Sequence, residues 1–421
     1  MMKTLEKSYF YQLPPFHKNL FVQNVELLPS VDEVFELELA YLEYNSLDKH
    51  ELLDRTAYFK SVDNKLSKHF LMCRHVNESI LEERSPSTRN YFEEGLFSTG
   101  YATHGLFPYR GKFHPQLIKA LINIIGIKKG EVVLDPMCGS GTTNVEAALM
   151  GINSYAIDLS PFCRFMTKVK YNSLFVNIMD LNLILKEEDQ LFSSFSTRNP
   201  LRQLDKVISS EKMMARELAL LAFFDSLGYS KRVITFTHRQ LFTKVLKRYV
   251  ETVRSFLKNN SEYLKDIGSI NILDDAGATQ IPLEPNSVDG IITSPPYSFA
   301  IDYVKNDEAQ LNYLGYDVNI IRNHMIGLNG RNKDERLANY FRDMDTVCSE
   351  IARVLKNNKF FVMIIGSNTN QTGGIRLEDR LTESCRKYQL FLVKSILKPI
   401  KGMRNTMKDE YILFFQKRCY E

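Results

Sequence analysis

Glu131-Val132-Val133-Leu134-Asp135-Pro136-Met137-Cys138-Gly139-Ser140-Gly141-Thr142 packs a strand, a turn and a helix start into one short stretch. Val132 to Leu134 read as a buried strand. Gly139 and Gly141 let the backbone turn sharply and approach a ligand closely. A helix opening near Thr142 would offer free N–H groups and positive dipole character, suited to a carboxylate. Further on, Ser154-Tyr155-Ala156-Ile157-Asp158 reads as a second strand ending in an acid, which suits the paired hydroxyls of a ribose. Strand, helix, strand and helix follow one another to about Leu174, the alternation of a parallel sheet.

A glycine loop alone does not name its ligand, because nicotinamide and flavin enzymes share the geometry. Asp135, at the tip of the first strand, narrows the choice. An acid there would repel a pyrophosphate and attract the ammonium of a methionine moiety, so the inferred ligand is S-adenosylmethionine. A second stretch, Ile291-Ile292-Thr293-Ser294-Pro295-Pro296-Tyr297, reads as another short buried strand stopped by prolines. Each proline holds the residue before it extended. The segment offers the Ser294 hydroxyl and bare carbonyls as acceptors, with the flat face of Tyr297 beside them. Such a set could hold the exocyclic amine of a nucleobase and stack its ring.

Taken together, these motifs resemble the amino-group DNA methyltransferases, which methylate cytosine at N4 or adenine at N6. Asp135 through Thr142 is similar to the family's cofactor loop, and Ser294-Pro295-Pro296-Tyr297 to its catalytic tetrapeptide. His104 through Pro115 resembles the segment that completes the cofactor pocket, and Asp274-Asp275-Ala276 the acid that meets the cofactor's adenine. The resemblance implies a Rossmann-like α/β methyltransferase sheet, mostly parallel with a closing antiparallel hairpin. It assigns catalysis to Ser294, Pro295, Pro296 and Tyr297. It assigns cofactor contacts to Lys112, Phe113, Pro115, Asp135, Pro136, Met137, Cys138, Gly139, Ser140, Gly141 and Thr142, and to Asp158, Leu159, Asp275 and Ala276. Met137-Cys138 departs from the family, where a bulkier aromatic is common.

The chain has 421 residues, more than one average domain, so accessory regions are expected around the catalytic core. A net charge of +4 permits a nucleic-acid partner without demanding one, so binding would rest on a local patch. The cysteines are scattered with no close Cys/His pairing, which favours reduced thiols over disulfides or zinc. No metal site is expected. No signal-like segment or membrane-length apolar stretch is read, so a cytoplasmic protein is expected.

Residues 1–100 form an expected accessory region, with helical spacing over Phe35–Tyr44 and Ala57–Phe70. The catalytic domain is expected over 101–175 and 266–421, opening on a helix from Gln116 to Ile125. Residues 176–265 read as a helical insertion. Within it Phe242, Val245, Leu246, Tyr249, Val253 and Phe256 form one stripe, and Lys244, Lys247, Arg248, Arg254 and Lys258 lie off it. That basic face could touch phosphates, although a solvated face is the stronger reading. Gly315 to Arg336 reads as a mobile basic loop. Asn339–Lys356 and Leu377–Tyr388 read as helices, Phe360–Ile365 as a strand, and Leu390–Leu397 with Tyr411–Phe415 as the closing hairpin.

Carbon-5 cytosine methylation needs a cysteine nucleophile. Cys138 lies in the cofactor loop, and neither it nor Cys163 directly follows a proline, so that reaction is disfavoured. A leading serine in the tetrapeptide goes, by resemblance, with cytosine N4 in double-stranded DNA, and the resemblance allows a cognate restriction endonuclease as a partner. The rival readings are adenine-N6 methylation of DNA, methylation of RNA, and an inactive DNA-binding subunit. Intact Asp135, Asp158, Ser294 and Tyr297 argue against the last.

Overall fold

The computed structural model describes residues 20–28, 30–31, 33–74, 89–92, 95–98, 100–109, 111–197, 210–230, 235–274, 276–296, 302–366, 372–400 and 409–418. They fall into two units, Met1–Tyr101 with His114–Gly126, and Ala102–Phe113 with Ile127–Glu421. The first unit contains β1 (Val25–Leu27), α1 (Val34–Ser46), α2 (Lys49–Arg55), β2 (Phe59–Val62) and β3 (Lys65–Leu66). It continues with α3 (Lys68–Arg74), β4 (Arg89–Phe92), β5 (Gly95–Ser98) and α4 (Pro115–Ile124), so the helix expected to open the catalytic domain groups here. Helical spacing over Ala57–Phe70 is corrected by the structure. Asp63 and Asn64 sit at φ 48° and 61° and reverse the chain between β2 and β3, a conformation that short polar side chains tolerate. Helix α3 begins only at Lys68. The buried Glu43 ties the unit together, accepting bonds from Thr56 Oγ1 at 2.8 Å, Ala57 N at 2.8 Å and Asn123 Nδ2 at 2.7 Å.

The second unit opens with β6 (Val132–Asp135), α5 (Thr142–Leu149), β7 (Asn153–Ala156) and α6 (Pro161–Asn172). Helices α7 (Ile178–Lys186), α8 (Glu188–Ser196), α9 (Ser210–Ser230) and α10 (His238–Asn259) follow, in keeping with the helical pattern of this stretch. Then come β8 (Ile270–Ile272), β9 (Val288–Thr293), α11 (Tyr303–Asn306), α12 (Glu308–Tyr313) and α13 (Val318–His324). The rest is α14 (Lys333–Val354), β10 (Leu355–Gly366), α15 (Leu377–Lys387), β11 (Leu390–Pro399) and β12 (Asp409–Lys417). The strand order is β11-β12-β10-β9-β6-β7-β8. Strands β8, β7, β6, β9 and β10 are mutually parallel, and β12 runs antiparallel to both β10 and β11. This is the Rossmann-like α/β sheet with its closing hairpin. The chain leaves β6 toward β7 on one side and returns through β9 on the other. Ligands of open α/β sheets bind at such a switch point, beyond the strands' carboxyl ends.

One core packs α14 and α15 on the sheet, through residues such as Leu134, Ile291, Tyr340 and Phe361. A second joins α6 to α9 and α10, with Phe162, Met166 and Val169 against Phe224, Phe242 and Val250. The α10 stripe is buried as expected. Two of its basic residues are engaged internally: Arg248 with Asp225 at 2.8 Å, and Arg254 with Glu251 and Asn182, each at 2.8 Å. The loop expected over Gly315–Arg336 is corrected to helix α13 and the start of α14, with Met325–Asn332 between them. Two polar residues in this stretch are helix caps. Asp317 accepts from Asn319 N at 2.8 Å, and Asn332 from Glu335 N at 2.9 Å.

Candidate active site

At the carboxyl end of β6 the backbone folds over itself. Cys138 N donates to Ile157 O at 2.9 Å, and Gly141 N to Cys138 O at 2.8 Å. Gly139 and Gly141 occupy φ 50° and 73°, left-handed values that any Cβ would strain. At Gly141 a Cβ would also meet Thr167 Oγ1 at 2.5 Å. The buried Lys170 supports the loop from below, donating to Ser140 O at 2.9 Å.

The two acids of the sequence motifs take different stations. Asp158 sits just beyond β7, its Oδ2 accepting from Gly139 N and its Oδ1 from Ser160 N, both at 2.8 Å. Burial pushes its carboxyl above the usual range, and those two N–H groups oppose the shift. Asp135 lies beneath the loop, accepting from Thr293 Oγ1 at 2.7 Å and Met137 N at 3.2 Å. It therefore links the tips of β6 and β9. Burial pushes its carboxyl up to about 6, and the bond from the Thr293 hydroxyl holds it from rising further.

A cavity of about 730 Å³ opens over these strand ends. Among the sequence-predicted residues, its walls include Lys112, Phe113, Pro136, Met137, Cys138, Gly139, Ser140, Thr142, Asp158, Leu159, Ala276, Ser294 and Pro296. The glycine loop and the leading serine of the tetrapeptide thus face one space. Asp135, Gly141 and Pro295 are not among the lining residues. Pro115 begins α4 in the first unit. Asp275 and Tyr297 lie outside the described residues. Asp274, beside the former, lines the cavity and pairs with Arg164 Nε at 3.2 Å.

Sequence reading misses several wall residues, three of which carry aromatic or acidic groups close together. Tyr109 and Tyr303 stack with ring centroids 6.3 Å apart and planes 18° from parallel. Asp307 lies close by, pushed up to about 8 by burial and then by the Asp158 charge. Tyr109 stands in the quoted 104–115 segment, but its role there depends on a distant partner. Tyr303 and Asp307 follow the tetrapeptide with no motif around them. The thiols of Cys138 and Cys163 are pushed well up by burial, so neither is a ready thiolate nucleophile.

This set fits S-adenosylmethionine. The volume falls within the roughly 300–1,000 Å³ of small-molecule sites. Gly139 and Ser140 line the wall, and Asp158, pinned by the Gly139 and Ser160 N–H groups, presents a carboxylate suited to a ribose diol. The UPF0020 family model (RMKL-like, methyltransferase domain) matches residues 106–211. The Type II methyltransferase M.BsoBI of Geobacillus stearothermophilus is 25% identical over 318 residues, covering 61% of this chain and 62% of that protein. The Type II methyltransferase M.MjaII of Methanocaldococcus jannaschii is 34% identical over 183 residues, covering 42% of this chain and 34% of that protein. A tRNA (guanine(10)-N2)-dimethyltransferase of Methanothermobacter thermautotrophicus is 32% identical over 85 residues, 20% of this chain and 25% of that protein. The chain spans less than two thirds of the length of each of these relatives. Fold, cavity and motifs define an S-adenosylmethionine-dependent methyltransferase. Within that class the chain resembles the amino-group DNA methyltransferases, and S-adenosylmethionine is its cofactor.

Proposed function

We propose that this protein transfers a methyl group from S-adenosylmethionine to the exocyclic N4 amine of cytosine in duplex DNA. The observation that carries the reading is that Ser294 and Pro296 line the same cavity as Gly139 and Asp158. The Type II relatives support DNA as the substrate. In this reading the glycine loop and Thr142 hold the methionine end of the cofactor. Asp158 takes the ribose, and Leu159, Asp275 and Ala276 border the adenine. Bound there, S-adenosylmethionine supplies an electrophilic sulfonium methyl.

The chain's own work is to prepare the amine. An aromatic amine is a poor nucleophile because its lone pair is delocalised into the ring. Acceptors on both amine hydrogens, the Ser294 hydroxyl and the Pro295 carbonyl, would orient the nitrogen and favour pyramidal geometry. Asp135, through Thr293, fixes the strand end from which Ser294 projects. No strong base is required, since the alkylated nitrogen is itself acidic. Tyr297 stacks the extruded base, offsetting an unstacking cost of a few kcal/mol.

The family resemblance, rather than a physical derivation, favours cytosine N4 over adenine N6. A restriction-modification role and a cytoplasmic location belong to the same proposal. No helix among the described residues is long and apolar enough to cross a membrane. A second reading, methylation of an RNA exocyclic amine, is favoured by the tRNA enzyme among the relatives. Ser294→Ala tests the mechanism. It should spare cofactor binding, measured by calorimetric titration, while single-turnover methyl transfer to duplex DNA collapses. Undiminished transfer would overturn the assignment of Ser294.

A further inference from the structure

Tyr109, Gly111, Lys112 and Phe113, which line the cavity, are preceded by a strained turn. Phe107 adopts φ 57°, an outlier for a bulky side chain that persists only where the surroundings enforce it. Its ring is buried edge-on against Phe162 at 5.0 Å. Its backbone N donates to the Tyr249 hydroxyl at 2.7 Å, across 142 residues of sequence. Tyr249 belongs to α10 and is 1% exposed. The same hydroxyl donates to Asp225 Oδ2 of α9 at 2.8 Å, and Arg248 Nη2 donates to that oxygen at 2.8 Å. Phe107 O in turn accepts from Tyr109 N at 2.9 Å, which turns the chain toward the cavity.

We propose that Tyr249 is a positioning residue through which the helical insertion holds the cofactor-pocket segment in its binding conformation. The geometry of the hydroxyl carries this assignment. It accepts from the backbone N–H of the strained residue itself, and it donates to a buried carboxylate that fixes its direction. Other anchors of the segment come from outside α9 and α10. Lys112 Nζ donates to His104 O at 2.9 Å, His104 Nε2 meets Glu146 Oε2 of α5 at 3.0 Å, and the Cys163 thiol of α6 donates to the Tyr109 hydroxyl at 3.3 Å. Among the described residues, Tyr249 supplies a hydrogen bond from the insertion. The insertion thus serves the cofactor site from behind, a role separate from any contact with nucleic acid. The proposal rests on the cavity being the S-adenosylmethionine site.

Tyr249→Phe keeps the ring and removes both bonds. Leaving the buried Phe107 N–H without its acceptor should weaken S-adenosylmethionine binding roughly tenfold, the scale of one unsatisfied buried group. Calorimetric titration in the absence of nucleic acid reads this directly. The KM for the cofactor should rise by a similar factor while kcat at saturating cofactor stays near wild type. Amide exchange of the peptide around Phe107 should accelerate, with α14 and α15 unchanged. Asp225→Asn is the second variant, used if Tyr249→Phe does not fold. It keeps an acceptor for the hydroxyl but loses the charge, and a smaller rise in KM is expected. Unchanged cofactor affinity in a folded Tyr249→Phe overturns the proposal, as does a fall in kcat with KM unmoved. If only Asp225→Asn folds, unchanged KM in that variant does the same. If wild-type protein itself binds no S-adenosylmethionine, the assignment of the cavity fails instead, and the two failures are told apart.

Discussion

Replacing Gly141 with alanine should damage this protein far more than the same change at Gly139, although the two glycines stand two residues apart in one loop. Both have positive φ, 73° and 50°, so each alanine carries a left-handed backbone cost of roughly 1–2 kcal/mol. The surroundings separate them. A Cβ on Gly139 would rest 3.5 Å from Tyr109 Cε1, an ordinary contact. A Cβ on Gly141 would lie 2.5 Å from Thr167 Oγ1, 2.7 Å from its Cγ2 and 2.9 Å from its Cβ. Thr167 is fully buried on α6 and cannot swing clear, which adds an overpacking cost of about 1–3 kcal/mol. Gly141→Ala should therefore lose about 2–5 kcal/mol of stability and Gly139→Ala only about 1–2 kcal/mol. Urea unfolding followed by circular dichroism measures both. Pairing Gly141→Ala with Thr167→Ala should recover part of the loss, because two of the three close atoms disappear while the backbone strain stays. Equal losses at the two glycines would refute the reasoning, as would a double variant no better than Gly141→Ala alone.

Other outcomes follow from the same geometry. Asp158→Ala should weaken S-adenosylmethionine binding by about 1.5–3 kcal/mol, the worth of a hydrogen bond to a charged group, and calorimetric titration that finds no change would remove Asp158 from the cofactor site. Burial raises the folded-state carboxyl of Asp307 to about 8, so its contribution to stability is present at low pH and is lost as pH climbs toward that value. Asp307→Asn lacks that titration, so its stability relative to wild type should improve between pH 6.5 and 8 by up to about 1.4 kcal/mol per pH unit. Parallel stability curves for the two proteins would contradict the burial argument. Tyr297→Ala should cut methyl transfer by roughly 1–3 kcal/mol of lost stacking, and Tyr297→Phe should be much milder; a Phe variant as inactive as the Ala variant would give the hydroxyl a chemical role.

Signals confined to a few consecutive residues are legible in the sequence. The run from Val132 to Thr142 contains its strand, left-handed turn and helix start in order. The prolines after Thr293 stop β9 where the apolar run ends, and the apolar stripe of α10 is buried as its spacing requires. Features that depend on distant partners are not legible. Asp135 reads as a cofactor contact, yet its nearest partner is Thr293, 158 residues away. Asn332 carries a loop-like side chain, but the same group caps a helix, and local composition does not separate the two uses. At Asp63-Asn64 the apolar spacing of the flanking residues suggests a helix, and turn chemistry prevails over it. Asp307 has no local signature at all, since its altered carboxyl comes from burial beside Asp158.

The proposed methylation of a cytosine amine in DNA requires the Ser294 strand tip and the cofactor loop to act as one site, and one experiment tests that most directly. Purified protein should be incubated with methyl-labelled S-adenosylmethionine, duplex DNA and RNA together, and both nucleic acids digested for nucleoside mass spectrometry. The expected result is labelled N4-methylcytosine from the DNA and none from the RNA, with the signal abolished in Ser294→Ala. Labelled N6-methyladenine as the sole DNA product would contradict the base assignment, and label confined to the RNA would contradict the substrate.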